Sequence, residues 1–395
     1  MAAVRPLLLL VAVFVFVDSM LYAALTPLLP HFADDLGLSK TRAGALVAAY
    51  AAGALIGGLP GGFAAVRLGA RRAVLVGLTG MGLASLGFAF AGSFGTLFLA
   101  RLLQGCGSAF TWAGAFAWLL AAAPRTRRGE LLGSAMGAAI FGAMFGPVIG
   151  AAAALAGRAT IFSALAGLAF VLVVWTLRLG SAPSGELPSA SALARAFRNR
   201  QFSGGLALMA LPSLLFGVLS VLGPLHLSAA GWGAAAIGAV WLIGAALETV
   251  QAPLVGRLAD RRGRLLPVRV ALTVAALASF ALAADSRPLL YVPLVVIAAT
   301  AYGLLFTPAF ALIADGAERS GLAQGMAFGF MNAAWAVGAV VGPAVGGAIA
   351  NATGDWIPFL LAAGACSLAL VAVLRYGRGR SESTASRPLE STGPG

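Results

Sequence analysis

A chain of 395 residues that is 60% hydrophobic and only 10% charged lies outside the range of soluble domains, which carry about 25% charged residues. The formal net charge of +13 suggests a nucleic-acid binder, but the basic residues are spread through loops between apolar runs rather than gathered on one polar module, so no nucleic-acid partner is expected. Cys106 and Cys366 both sit inside apolar runs and offer neither a disulfide framework nor a metal site.

A bilayer core of about 30 Å needs about 20 apolar residues per helix. Twelve runs meet that need, six on each side of a polar stretch near 180–203. The predicted spans are 6–30, 42–65, 73–92, 95–120, 131–156 and 159–179, then 204–228, 234–256, 265–285, 289–314, 323–348 and 356–375. Helices satisfy their own backbone in lipid, so the fold class is an all-α membrane protein of two six-helix bundles. The domains are 1–180, a linker at 181–203, 204–376 and a disordered tail at 377–395. The N-terminal run continues past Asp18 to Pro30, which reads as a first span and not as a cleaved leader.

In span one, Asp18 lies roughly 18 Å from the start of the helix by helical rise, and Tyr22 lies one turn further on. Span four carries Arg101, roughly 9 Å from the opposite face, and Trp112. In a core of about 30 Å the two depths coincide, which places Arg101 facing Asp18 or a proton path beside it. A buried acid is costly in lipid and marks a candidate proton site. A static ion pair joining spans one and four is the structural alternative.

Span five contains Gly142, Gly146, Pro147 and Gly150, a bare stripe with a proline that can kink the helix. The linker segment 192–201 reads as a short amphipathic surface helix. Span eight contains Glu248, a second candidate for proton transfer or cation binding, or else a carboxylate that reaches the surface. It is followed by Gly256, Asp260, Arg261, Gly263 and Arg264. Phe306, Asn332 and Trp335 on spans ten and eleven join Tyr22 and Trp112 as substrate-pocket candidates, because aromatic faces attract organic cations. Ordinary helix packing is the plainer reading of each. His31 and His226 fall at span ends.

Two patterns recur about half a chain apart. GxxxGPxxG occurs at Gly142–Gly150 and at Gly338–Gly346, an offset of 342 − 146 = 196. Gly62-Phe-Ala-Ala-Val66-Arg67-Leu-Gly69 recurs as Gly256-Arg-Leu-Ala-Asp260-Arg261-Arg-Gly263, offset 256 − 62 = 194. Internal duplication in a very apolar chain points to a transporter whose substrate sits between the halves.

These pieces resemble the Major Facilitator Superfamily. The Gly256–Arg264 segment is similar to its signature loop, and Arg101-Leu-Leu-Gln104-Gly105-Cys-Gly107 to a motif opening its fourth helix. The Gly-Pro pattern of span five resembles the antiporter motif of its drug:proton antiporters, and Asp18–Pro30 resembles helix one of drug exporters and vesicular amine transporters. The resemblance implies proton-coupled efflux of small amphipathic or cationic compounds, with a glycine stripe held tightly against the opposite half and Asp260 latching the cytoplasmic side. This chain departs from the pattern at three places: Val66 replaces the acid of the first loop copy, and Gly303 and Asn332 stand where vesicular amine transporters carry acids.

Arg67, Arg71, Arg72, Arg125, Arg127, Arg128, Arg195, Arg198 and Arg200 fall on one side of the predicted spans, and Lys40, Arg42, Arg158 and Arg287 on the other. The positive-inside bias then puts both termini in the cytoplasm, and a basic set that is almost all arginine, with abundant Ala and Gly, suggests a bacterial cytoplasmic membrane. No cofactor is expected, because no GxxxxGK(S/T) loop is present and the proton gradient supplies the energy. The expected partners are a small-molecule substrate, protons and the lipid bilayer, with the chain a monomer and no enzyme. Sugar or metabolite export, nutrient symport, and a non-transporting sensor or scaffold are the competing readings.

Overall fold

The computed structural model describes residues 4–122, 128–180, 190–262, 265–284, 287–322 and 324–385. Every regular element among them is helical, and twelve helical stretches are long and apolar enough to cross a membrane.

The first half contains α1 (Val4–Ala23), α2 (Leu25–Leu36), α3 (Lys40–Arg67), α4 (Ala70–Phe90), α5 (Phe94–Ala122), α6 (Arg128–Ala156) and α7 (Arg158–Arg178). A short helix, α8 (Ala190–Arg198), precedes the second half and overlaps the segment 192–201 expected to be amphipathic. The second half contains α9 (Arg200–Ala229), α10 (Ala234–Arg262), α11 (Leu265–Ala284), α12 (Pro288–Gly303), α13 (Phe306–Arg319), α14 (Gln324–Thr353) and α15 (Trp356–Ala385). α15 therefore continues as helix past Arg375, where composition alone suggested an unstructured tail. A helix already nucleated inside the span elongates at little cost. Residues 181–189 of the linker and 386–395 of the tail lie outside the described residues.

Two spans are each built from two helices, which the apolar runs concealed. Span one breaks at Ala24, and span ten breaks at Leu304–Leu305. The cause is the same in both. Leu25-Thr26-Pro27 opens α2 and Phe306-Thr307-Pro308 opens α13. A proline ring clashes with the carbonyl four residues earlier, here Ala23 and Leu304, and has no N–H to give it.

Arginines tie α4 to α7 at both ends. Arg71, in the first turn of α4, donates Nε to Thr176 O at 3.2 Å and also bonds Leu177 O at the end of α7. Arg158, at the start of α7, donates Nε to Ala89 O at 3.2 Å and bonds Ala91 O at the end of α4. Each cation satisfies carbonyls that have no intrahelical donor and complements a helix C-terminus.

Within each half the glycine stripe packs on that half's own first span. A Cβ at Gly142 would lie 2.1 Å from Phe16 O, one at Gly146 2.4 Å from the Ala23 methyl, and one at Gly150 2.1 Å from Ala24 O. The second copy repeats this against α9, with Gly338 on Ala210 O at 2.2 Å and Gly342 on Leu214 O at 2.2 Å. The expectation that the span-five glycines hold the opposite half is therefore corrected. Spaced four apart, they share one helix face, and α1 occupies it.

The proline carbonyl reaches across the halves instead. A Cβ at Gly44 of α3 would lie 2.1 Å from Pro343 O, and one at Gly238 of α10 3.0 Å from Pro147 O. Gly44 and Gly238 are repeat mates, since 238 − 44 = 194. Gly347 adds an approach to Lys40 O, and Lys40 pairs with Asp355 beside it. All these contacts lie toward the end of the bundle opposite the chain termini, where the halves meet backbone to backbone. Nearer the terminal end they meet through side chains, among them Phe116 and Phe328 with ring centroids 6.3 Å apart.

Candidate functional site

The site is organised by one face of α5. Arg101, Gln104, Ser108 and Trp112 stand at i, i+3, i+7 and i+11, a single helical stripe, and it points at α1, α3 and α4. Glycines bring the backbones close enough for these residues to meet. Gly53, Gly57 and Gly61 of α3 lie against Leu102, Cys106 and Phe110 of α5, and Gly105 lies against Tyr50 O with room for no Cβ. The two glycines of the Arg101–Gly107 motif thus have separate tasks: Gly105 admits α3, and Gly107 admits α4 at Gly77 O.

Asp18 is 4% exposed and Arg101 is 1% exposed, so both charges need protein partners. They do not form an ion pair with each other; each is held by other partners. Asp18 Oδ1 accepts a hydrogen bond from Tyr50 Oη at 2.5 Å, and Oδ2 accepts one from Trp112 Nε1 at 2.7 Å. Arg101 Nη1 donates to Leu21 O at 2.9 Å and to Gln104 Oε1 at 3.2 Å, and Nη2 donates to Tyr22 O at 3.1 Å. Its guanidinium lies 4.7 Å from the Tyr50 ring centroid. Tyr50 therefore stands between the acid and the base, bonding one through its hydroxyl and facing the other with its ring.

The break in span one explains why Arg101 goes where it does. The last-turn carbonyls of a helix lack intrahelical donors. Pro27 ends α1 at Ala23, which puts Leu21 and Tyr22 in that position, and the planar fork of Arg101 spans both oxygens. Gln104 passes the network on to α4, donating Nε2 to Ser85 Oγ at 3.0 Å.

An aromatic series leads from this core to the second half. Tyr22 packs on Tyr50 at 5.4 Å and on Trp335 of α14 at 5.1 Å. Trp112 stacks on Phe116 at 5.1 Å, and Phe116 reaches Phe328 of α14. Of the five pocket candidates, Trp112 bonds Asp18 directly, and Tyr22 connects Trp335 to the Tyr50 ring. Phe306 stacks on Phe216 at 6.1 Å in the second half and, like Trp335, packs against the buried apolar cluster around Met209 and Ile313. Asn332 is half-buried on α14 and has no hydrogen-bond partner among the described residues.

Glu248 stands apart from this network. Its carboxylate packs on the Cα of Gly303, so closely that a Cβ there would lie 2.1 Å from the carboxyl carbon, right at the break in span ten. Gly303, noted in the sequence only for lacking an acid, is what makes room for one from α10. The side chains of Gly256, Asp260 and Arg261 at the end of α10 lie outside the described residues, as do Gly263 and Arg264 entirely, so the latch segment is left there.

Sequence reasoning missed Tyr50. A signal was present: it is the one aromatic residue in the alanine- and glycine-rich stretch from Ala43 to Gly62. Its meaning depends on the register of three helices, which no motif spells out.

Comparison with known proteins agrees with this architecture. The sequence model of the Major Facilitator Superfamily matches residues 11–327. A probable vesicular acetylcholine transporter-B of Danio rerio is 40% identical over 114 residues, 27% of this chain and 23% of that protein. The MFS-type transporter ppzB of Metarhizium rileyi is 32% identical over 129 residues, 31% of this chain and 27% of that protein. The chain thus spans about a quarter of the length of these curated relatives. The crystal structure of the nucleoside transporter NupG superposes with a TM-score of 0.71 at 18% identity, covering 93% of this chain and 98% of that one. A mutant of NupG gives the same TM-score at 16% identity, and at such identities the likeness is one of fold. Two duplicated six-span halves, glycine-proline contacts between them and a match over most of the chain lead to one conclusion: the chain belongs to the Major Facilitator Superfamily of membrane transporters.

Proposed function

We propose that this protein is a proton-coupled exporter of small amphipathic or cationic compounds, working by alternating access in a bacterial cytoplasmic membrane with both termini inside. The observation that carries this reading is the Asp18 site. A carboxylate buried at mid-span is held by a hydroxyl and an indole N–H, not by a cation. Such an acid can take up and release a proton without first breaking an ion pair. It also adjoins the Tyr50 and Trp112 rings, which lead through Tyr22 and Phe116 to rings of the second half, so its charge and the aromatic faces together suit an organic cation. The Danio rerio relative, named as an acetylcholine transporter, supports the same class of substrate. Protonation of Asp18 and occupancy by a cation then compete for one carboxylate, which is the requirement for exchange. Glu248, at the break in span ten, supplies a second acid in the other half. The orientation rests on the arginines at the terminal end of the bundle.

The test is proton release from inverted vesicles challenged with cationic, neutral and anionic compounds. Organic cations are expected to discharge the gradient, and Asp18→Asn is expected to abolish the response. Movement of substrate and protons in the same direction would establish symport and overturn the export reading. A proton response untouched by Asp18→Asn would remove Asp18 from the coupling.

A further inference from the structure

We propose that Tyr50 is the positioning residue that carries the protonation state of Asp18 to the contact between the two halves; this rests on Asp18 being the proton site. Asp18 has two bonding neighbours of different kinds. Trp112 Nε1 can only donate, whereas the Tyr50 hydroxyl can donate or accept. Ionised Asp18 accepts from both. When a proton from water adds to Oδ1, that oxygen becomes a donor and the Tyr50 O–H can no longer point at it. Trp112 keeps its bond to Oδ2, the remaining carbonyl oxygen. Tyr50 must then turn its own hydrogen elsewhere while its oxygen accepts from Asp18. No proton passes to the tyrosine; only the direction of one hydrogen bond reverses.

The structure contains the alternative acceptor. Ser108 stands one turn from Trp112 on the stripe of α5 that faces α1 and α3, placed to accept the hydrogen that Tyr50 turns away from Asp18. It is itself buried, at 4% exposure. Reversal of the hydroxyl therefore keeps the bond between α3 and α1, now with Asp18 as donor, and adds one from Tyr50 on α3 to α5. The ring that carries this hydroxyl is packed under Arg101 and against Tyr22, so any shift that optimises the new pair of bonds is felt by both. Tyr22 in turn contacts Trp335 of the second half. A one-proton event on α1 thus reaches α14 through two rings, without the acid itself touching the second half. The titratable and charged groups facing Tyr50 from the elements around it are Asp18 and Tyr22 on α1 and Arg101 on α5. Asp18 is the member of that set whose charge changes in the reading above.

Lys40 is the only lysine in the chain and is paired with Asp355 across the halves, so its reactivity toward an amine reagent reports separation of that end. The experiment uses the full-length protein in lipid nanodiscs. A short pulse of an N-hydroxysuccinimide ester is applied across pH, and the Lys40 peptide is quantified by mass spectrometry against denatured protein labelled at the same pH. Wild type is expected to change Lys40 labelling at least about fivefold across the profile, and Asp18→Asn to flatten it. Tyr50→Phe keeps the ring but removes the hydroxyl, and Ser108→Ala removes the alternative acceptor. Both are expected to flatten the profile while infrared difference spectra still show the Asp18 carboxyl titrating. The Lys40–Asp355 pair is unchanged in every variant, so its own pH response is common to all and the profiles are compared with one another without subtraction. A flat Asp18→Asn profile beside a wild-type profile in Tyr50→Phe overturns the role of Tyr50 and leaves the proton site standing. A wild-type profile in Asp18→Asn, or a flat one in wild type, overturns the proton site and the proposal with it.

Discussion

Arg101 shows how far a single residue can be read from its position. Its depth and that of Asp18 were legible in the sequence, and so was the motif it shares with Gln104. What was not legible is that its fork closes on Leu21 O and Tyr22 O, because the need for it arises from a break that Pro27 makes in another helix. This geometry makes a prediction. Arg101→Lys preserves the charge but not the planar fork, so it loses charge-assisted bonds worth about 1.5–3 kcal/mol each. Thermal unfolding in detergent is expected to show a clear fall in midpoint for Arg101→Lys and a larger one for Arg101→Ala. Equal stability of Arg101→Lys and wild type would mean that the carbonyl contacts contribute nothing. Trp112→Phe tests the other side of the site. It removes a donor that favours ionised Asp18, so the proton-release profile in vesicles is expected to move to higher pH. An unmoved profile would show that the indole N–H is incidental.

At the scale of helices, the repeated GxxxGPxxG was visible at once, but its partner was not. Periodicity shows that the glycines share a face; it does not say which helix lies on it. The structure gives the glycines to the first span of the same half and the proline carbonyl to the opposite half. Substitutions at the two kinds of position should therefore fail differently. Gly142→Ala drives a Cβ to 2.1 Å from Phe16 O inside one half, an overpacking that costs about 1–3 kcal/mol. It is expected to lower the thermal midpoint without changing Lys40 labelling. Gly44→Ala places its Cβ 2.1 Å from Pro343 O, between the halves. There the same cost falls only on the closed state, and Lys40 labelling is expected to rise by about 5-fold or more. If Gly142→Ala raises labelling as much as Gly44→Ala, the division between the two faces is wrong. The two broken spans teach a related lesson. Thr-Pro within an apolar run leaves hydropathy unchanged while removing a backbone donor, so both breaks were hidden from a reading based on run length.

For the whole molecule, the two interfaces between the halves are related by the repeat but are not equal. On the α3–α14 side, Gly44 meets Pro343 O at a Cβ distance of 2.1 Å, Gly347 meets Lys40 O, and Lys40 pairs with Asp355. On the α6–α10 side, Gly238 stands 3.0 Å from Pro147 O by the same measure. The Lys40–Asp355 pair is partly exposed, at 36% and 26%, so its contribution is about 0.2–1 kcal/mol and is screened by salt. An added Cβ at Gly44 costs more than that, so loss of steric fit is expected to open this end further than loss of the charge pair. The consequence can be measured with spin labels or fluorophores placed on the loops after α2 and α14. Lys40→Gln is expected to shift the distance distribution toward separation by less than about fivefold in population, and to lose that shift in high salt. Gly44→Ala is expected to shift it further and to be insensitive to salt. Gly238→Ala, with a longer contact to relieve, should lie between wild type and Gly44→Ala. A larger effect from Lys40→Gln than from Gly44→Ala would reverse the order and make the ion pair the principal latch.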